Sequence, residues 1–285
     1  MAAFTLMVLL AGGNAVAIHV VREELPAFWG AAVRFGGAGL IFAAIMVVQR
    51  VPIPRGGALT GSVLYGALGF GAAFGIAFIA IPITGAGAAQ ILLGLVPLLT
   101  LILAPLHGLE AFRLRAVVGS SVALGGVAIL AADRITHEIP FEGILLALAV
   151  ALLLAEAGIV VKLTPRAHPV ATNAVGMLIG ALILLPISIL AGERWSLPSE
   201  QNTWLAMSYL VVAGSVGVFW LFLYVLRRWT ASTVSFEFLL IPLATVPFSA
   251  LLTGEVVTPL MLLGGAIILA GVYFGTLSGG EPPAG

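Results

Sequence analysis

The feature that most constrains the fold is a series of long apolar stretches that charges almost never interrupt. A helix crosses the ~30 Å hydrocarbon core of a bilayer with roughly 20 apolar residues. Ten stretches of about that length lie between polar, Pro or Gly breaks, near 4–21, 28–48, 59–80, 84–104, 115–132, 141–162, 170–191, 203–226, 231–253 and 259–277. Charged residues make up 8% of the chain, against about a quarter in soluble domains. Because lipid cannot satisfy exposed backbone groups, the pattern predicts an all-α polytopic membrane protein with ten transmembrane helices.

The basic residues of the short loops predict the orientation of these helices. Cytoplasmic loops carry an excess of Lys and Arg. With the amino terminus in the cytoplasm, that side carries Arg50, Arg55, Arg113, Arg115, Lys162, Arg166, Arg227 and Arg228. The other side carries Arg22, Arg134 and Arg194. This asymmetry predicts that both termini are cytoplasmic.

The chain also contains an internal repeat. A shift of 145 residues superposes Pro97 on Pro242, Glu110 on Glu255 and Gly119 on Gly264. We interpret this as two copies, 1–135 and 136–278, followed by a short tail, 279–285. Each copy holds five predicted spans, and an odd number inverts the second copy in the membrane. Inverted repeats are a recurring plan of secondary transporters, whose substrate site lies near the midplane between the copies.

Several short motifs carry a family resemblance. They are AGGNAVAIHV from Ala11 to Val20, PAFWGAAVRF ending in Arg34-Phe35, Pro97 followed by Gly108-Leu109-Glu110, and Pro242 followed by Gly254-Glu255. In this order the chain resembles the EamA-type members of the drug/metabolite transporter (DMT) superfamily along nearly its whole length. The resemblance implies metabolite transport in a bacterial inner membrane, often export of amino acids or related compounds. Aromatic amino-acid exporters are the members that it resembles most.

The chain departs from the family pattern at three positions. Ala11 and Glu156, which are equivalent in the repeat, stand where the family often has Trp. His19 stands where a Lys is common near the outer end of the first span. The departures predict substrate walls that differ from those of a typical relative.

Two carboxylates, Glu156 and Glu237, lie deep in predicted spans, and both are placed in the inner third of the membrane. Intramembrane acids pair with other groups or mark a substrate or proton path. One interpretation is that each pairs with a boundary cation, Lys162 or Arg227 and Arg228. The other is that one or both bind an ammonium group or a proton.

Further candidate substrate-binding residues are the polar and aromatic side chains within the spans. These are Asn14, Gln90, Ser235, Tyr209 and Trp220. Gln90 and Ser235 are equivalent in the repeat, and Tyr209, Trp220 and Tyr224 follow the rhythm of one helix face. The alternatives are interhelical hydrogen bonding for the amides, which is worth about 0.6 kcal/mol in membranes, and packing or lipid contact for the aromatic rings.

Four residues are candidates for a gate or hinge. Arg34 lies about six residues below the outer boundary, and we expect it to reach water, Glu23, Glu24 or Glu142 as an outer-end anchor or gate residue. His19 lies near the same boundary. Pro97 and Pro242 are mid-span and equivalent in the repeat, so each copy is predicted to contain one weakened helix. The alternative for the prolines is a static kink.

These features favour a secondary transporter for amino acids or similar small metabolites, with the substrate, membrane lipid and, in a coupled carrier, protons as its partners. A passive channel, or an intramembrane sensor or enzyme, is the alternative. The sequence has no Cys, no Walker motif and no metal-ligand cluster, so we predict no enzyme activity, cofactor or metal. With a net charge of zero it shows no basic field for nucleic acid. A monomer is compatible with the sequence.

Overall fold

The structure, a computed structural model, describes residues 1–84, 86–132, 140–253 and 256–276. Regular secondary structure in these residues is helical. In chain order the helices are α1 (Ala2–Glu24), α2 (Ala27–Val48), α3 (Gly57–Tyr65), π1 (Gly66–Ala73), α4 (Phe74–Thr84), α5 (Ala86–Leu93), α6 (Val96–Leu106), α7 (Leu114–Leu130), α8 (Phe141–Leu163), α9 (Pro169–Leu190), α10 (Gln201–Val211), π2 (Val212–Gly217), α11 (Val218–Leu226), α12 (Ala231–Ser235), α13 (Glu237–Thr253) and α14 (Pro259–Thr276). Gly254, Glu255, Arg134, the boundary at 135 and the tail 279–285 lie outside the described residues.

Nine helices in the described part of the chain are long and apolar enough to cross a membrane. The remaining predicted span corresponds to α7, an apolar helix of 17 residues, which is one residue short of that length. The all-helical, polytopic prediction is therefore confirmed.

Two of the membrane-crossing helices contain a π-helical segment. In the first, π1 joins α3 to α4, and in the second, π2 joins α10 to α11. Both segments are rich in Gly, with the sequences GALGFGAA and VAGSVG. A π segment replaces i→i+4 hydrogen bonds by i→i+5 bonds, which changes the helical register on either side of it.

Two other spans are interrupted. One span breaks between α5 and α6, and Pro97 stands in the first turn of α6. Another breaks at Phe236, between α12 and α13, and Pro242 lies inside α13. Pro97 therefore does not remove a hydrogen bond from a helix interior, contrary to the prediction, whereas Pro242 lies in the interior of a helix. Pro at the start of a helix loses no hydrogen bond, whereas Pro in the interior removes one.

The most extensive contacts join helices that are far apart in the chain: α2 packs along α9, and α7 along α14. The α7–α14 contact brings backbone against backbone. A Cβ on Gly119 would lie 2.5 Å from the Cα of Gly275, and one on Gly264 would lie 2.7 Å from the carbonyl oxygen of Gly126. Only glycine allows the two backbones to come this close. The glycines therefore fix the position of α7 along α14.

An aromatic cluster fills the centre of the larger core. The Phe70 ring contacts the rings of Phe35, Tyr65 and Phe219 at centroid distances of 5.0, 5.1 and 4.7 Å. These side chains come from α2, α3, π1 and α11, so the cluster joins both halves of the chain. The polar groups described next lie on elements that pack around it.

Candidate functional site

Arg34 is buried in the bundle, with only 4% of its surface exposed. Its Nε donates a hydrogen bond of 2.8 Å to Ser215 Oγ, and its Nη2 donates one of 2.9 Å to the carbonyl oxygen of Gly214. Arg34 forms no ion pair with Glu23, Glu24 or Glu142, so the expectation of an acidic partner at the outer end is wrong. A cavity of about 20 Å³ beside Arg34 has room for one water molecule.

The partners of Arg34 belong to the π2 segment. The Gly214 carbonyl oxygen within it accepts hydrogen bonds from side chains of two other helices. Besides Arg34, Asn14 Nδ2 donates to this oxygen over 3.3 Å, while Asn14 Oδ1 is buried without a partner among the described residues. A Cβ at position 214 would lie 2.0 Å from that Oδ1, so the junction of α1, α2 and π2 requires glycine.

The aromatic candidates on α10 and α11 do not share one environment. Tyr209 donates a hydrogen bond of 2.8 Å to the carbonyl oxygen of Leu10 and packs against Gly13 on α1. Trp220 and Tyr224 stack at 5.6 Å and line a groove between α2, α9 and α11. The prediction of one common face is wrong because π2 lies between Tyr209 and Trp220 and shifts the helical register.

Glu237 begins α13 at the break in its span and is 5% exposed. Its carboxylate has no hydrogen bond or ion pair with any described residue, so the predicted pairing with Arg227 or Arg228 is not present. The buried Tyr65 hydroxyl, within electrostatic reach of Glu237, and the buried Ser232 Oγ also lack partners within the described ranges. We call Tyr65, Ser232 and Glu237 the unpaired polar set. Buried polar groups normally have partners, so such a set is a candidate for ligand contact.

Glu156 has a partner that the sequence did not suggest. Its Oε1 lies 3.2 Å from Nε2 of His107, which directly follows α6. Both side chains are about one third exposed. The predicted alternative partner, Lys162, forms no ion pair with Glu156. Glu156 and Glu237 therefore have different surroundings, one paired and partly open, the other unpaired and buried.

The remaining candidates have local roles in this structure. Ser235 is buried and donates a hydrogen bond of 2.8 Å to the carbonyl oxygen of Ser232. His19 is exposed and lies 3.5 Å from Glu23, one turn further along α1. Gln90 is half-buried on α5, and its side chain has no hydrogen bond to a described residue.

A network at the start of α2 escaped the sequence analysis. Glu193 accepts hydrogen bonds from the backbone N–H groups of Phe28 and Trp29, at 3.1 and 2.8 Å, and thereby caps α2. The Trp29 and Trp195 rings stack at 4.7 Å, and Ser199 donates hydrogen bonds to Glu24. The α9–α10 loop therefore fastens the ends of α1 and α2. The only sequence signal for this network is the acid Glu193 in the Trp-containing loop GERWS.

Two further hydrogen bonds join distant helices. Glu110 accepts one of 3.2 Å from the backbone N–H of Ser232. Asn173 Nδ2 donates one of 3.0 Å to the carbonyl oxygen of Phe219. These contacts tie the first half of the chain to α12, and α9 to α11. Sequence reasoning missed the second because its acceptor is a backbone group. In the described ranges, no three His, Asp or Glu side chains are placed to hold a metal ion.

Comparison with known proteins gives consistent results. The model of the EamA-like transporter family matches residues 1–132 and again residues 141–277. The uncharacterized inner membrane transporter YedA of Escherichia coli K12 is 24% identical to this chain over 270 residues. The match covers 93% of this chain and 87% of YedA. The YedA proteins of strains O6:H1 and O157:H7 match equally well. A solved structure, described only as a crystal structure of a protein, shares the fold with a TM-score of 0.80 at 19% identity and covers 96% of this chain and 95% of its own. The chain is therefore a member of the EamA-like transporter family, within the drug/metabolite transporter superfamily.

Proposed function

We propose that this membrane transporter works by alternating access between two inverted five-helix repeats, 1–135 and 136–278, and exports amino acids or related small metabolites. The observation that carries the proposal is a pair of matched interruptions. A shift of 145 residues places π2, 212–217, on residues 67–72 of π1. The breaks before α6 and α13 likewise fall within about one turn of each other. Interrupted helices at equivalent places in both repeats are typical of transporter sites.

The helix contacts support the same organisation. Two pairs of repeat-equivalent helices contact each other directly, α2 with α9 and α7 with α14. Further contacts between the repeats occur in exchanged pairs: α1 packs on α13, and its equivalent α8 packs on α6. A two-fold relation between the repeats accounts for both kinds of contact, and it leaves the π segments and breaks between the repeats.

The unpaired polar set supports a substrate with an ammonium group. A buried carboxylate without a partner is costly, and a cationic ligand would supply the missing partner. Glu237 is such a carboxylate, and the Tyr65 hydroxyl, within electrostatic reach of it, has no described partner either. An amino acid carries the required cation, and Tyr65 also packs against Phe70 in the aromatic cluster, which favours substrates with apolar side chains. If transport is coupled to protons, the contact between His107 and Glu156 is our candidate for the proton site.

The experiment is flux into liposomes that contain the purified protein, with a panel of labelled amino acids, nucleosides and organic cations. We expect saturable flux of amino acids, with competition between them. Glu237→Gln should raise the KM for amino acids at least tenfold, because the neutral amide gives up the attraction to the ammonium group. Glu142→Gln, which changes an exposed acid at the start of α8, is the matched control and should behave as the wild type.

Three results would contradict parts of the proposal. Flux that does not saturate would indicate a channel. Saturable flux with an unchanged KM in Glu237→Gln would remove this residue from the substrate site while keeping the carrier. Unaltered pH dependence in both Glu156→Gln and His107→Asn would exclude that pair as the proton site.

We also propose that the protein lies in a bacterial inner membrane with both termini in the cytoplasm. The YedA name and the asymmetry of the loop charges support this. A reporter that is active only in the cytoplasm, fused after Gly285, should be active. A fusion there that is active only outside would overturn the orientation.

A further inference from the structure

A groove of about 550 Å³ lies where α2 ends, α9 begins and α11 ends. Its floor is apolar and includes Phe42, Ile45 and Val216, and the stacked rings of Trp220 and Tyr224 form one wall. Trp220 is 40% exposed, so this wall continues onto the outer surface of the bundle. The groove is therefore accessible from the side, where lipid surrounds a membrane protein.

The rim of the groove is cationic. Arg227 and Arg228 directly follow the apolar helix α11, and His168 precedes α9. The guanidinium carbon of Arg228 lies 3.6 Å from the centroid of the Tyr224 ring, and its Nη1 donates a hydrogen bond of 3.1 Å to the Tyr224 carbonyl oxygen. The Arg228 charge is therefore held at the end of the aromatic wall.

Arg227 has no hydrogen bond or ion pair with any described residue. It also lines a second cavity, of about 90 Å³, together with Lys162 and Arg166. No Asp or Glu lines either cavity. Burial lowers the pKa of Arg227, and the positive charges of Arg166 and Arg228 lower it further. The rim of the groove consequently carries positive charge without an acidic lining residue, which an anion would relieve.

The depth of the groove fits one leaflet of a membrane. From Val216 to Arg227 the helical rise of 1.5 Å per residue gives about 16 Å, which is close to half of a ~30 Å hydrocarbon core. The cations stand at the end of this distance, at the level of the lipid headgroups. A free phosphate would use the rim alone, whereas a lipid uses the rim and the apolar floor together.

We propose that this groove binds one anionic phospholipid, with its phosphate on Arg227 and Arg228 and one acyl chain along Phe42, Val216 and Trp220. Basic pockets between helices at a membrane interface are typical sites for anionic headgroups. The bound lipid contacts α2, α9 and α11 together.

The test is native mass spectrometry of the purified, delipidated protein with added phosphatidylglycerol or with phosphatidylcholine of the same acyl chains. We expect tighter binding of phosphatidylglycerol. A cation near an anionic headgroup contributes about fivefold in affinity, so Arg227→Gln with Arg228→Gln should weaken binding about 30-fold. The double change to Lys at both positions should retain most of it.

Two further variants locate the site. Arg55→Gln with Arg113→Gln removes two exposed charges outside the groove and should leave binding unchanged. Ile45→Trp fills the floor without changing a charge and should weaken lipid binding.

Three results would overturn the proposal. The first is equal binding of the two lipids. The second is unchanged phosphatidylglycerol binding after both Arg residues become Gln. The third is competition by glycerol 3-phosphate at the affinity of the lipid, which would assign the rim to a soluble phosphate.

Discussion

Replacing Ser215 by Ala should cost more stability than replacing Arg34 by Met, although the second change deletes more hydrogen bonds. A hydrogen bond to a charged group contributes ~1.5–3 kcal/mol. Ser215→Ala removes one such bond and leaves the guanidinium buried with the Gly214 carbonyl oxygen as its remaining described hydrogen-bond partner. We therefore expect a loss of about 2 kcal/mol.

Arg34→Met removes both bonds, a loss of about 4 kcal/mol on the same scale. It also removes a cation whose insertion into a bilayer costs ~2.5–3.5 kcal/mol. The two terms nearly cancel and leave a net loss of about 1 kcal/mol. Asn14 still donates to the Gly214 carbonyl oxygen, whereas the Ser215 hydroxyl loses the guanidinium that donated to it.

The assay is reversible unfolding in mixed micelles with increasing dodecyl sulfate, applied to the wild type, both single variants and the double variant. With Met at position 34, Ser215→Ala should cost less than about 0.5 kcal/mol, because the hydroxyl then has no guanidinium to bind. Ser208→Ala, on the exposed face of α10, is the control and should change the free energy of unfolding by at most about 0.5 kcal/mol. An equal cost of Ser215→Ala in both backgrounds would refute this account of the junction.

Two other predictions concern the packing and the helix breaks. Gly13→Ala places a Cβ 2.2 Å from the Tyr209 hydroxyl oxygen and should destabilise the protein by about 1–3 kcal/mol. Gly125→Ala, whose Cβ would have nothing within 4 Å, should not destabilise it. If adding Tyr209→Phe to Gly13→Ala recovers none of the lost stability in unfolding assays, the contact with the hydroxyl is not the cause of the loss. Pro242→Ala restores a hydrogen bond inside α13, whereas Pro97→Ala changes only the first turn of α6. Turnover in liposomes should therefore slow more in Pro242→Ala than in Pro97→Ala. Equal slowing would show that the position of the proline within its helix does not matter for transport.

The transmembrane helices could be predicted from the sequence because their signal is local. An apolar run of sufficient length has few alternatives in lipid, so the spans and the helical class follow directly. The sequence also predicts a break between its third and fourth spans, between residues 80 and 84; α4 continues to Thr84, and Gly85 lies outside the described residues. Local composition determines these features, and distant contacts are not needed.

The side-chain partners could not be predicted, because they depend on the irregular backbone. Arg34 donates a hydrogen bond to the carbonyl oxygen of Gly214, 180 residues away. The pattern of side chains in the sequence cannot predict a backbone acceptor at that distance. The prediction for Tyr209 failed because it assumed one regular helix through π2. Glu156 was recognised as a functional candidate, but its partner His107 follows a different span.

The glycine contact between α7 and α14 has a consequence for the biosynthesis of the chain. Gly126 and Gly264, which lie against each other, are separated by 138 residues of sequence (264 − 126). At a synthesis rate of about 5–20 residues per second, the ribosome needs roughly 7–28 s to make this segment. During that interval α7, which at 17 residues is shorter than the nine helices long enough to cross a membrane in the described part of the chain, has its glycine surface uncovered. We therefore infer that the first half cannot complete its fold until the last helix has been inserted.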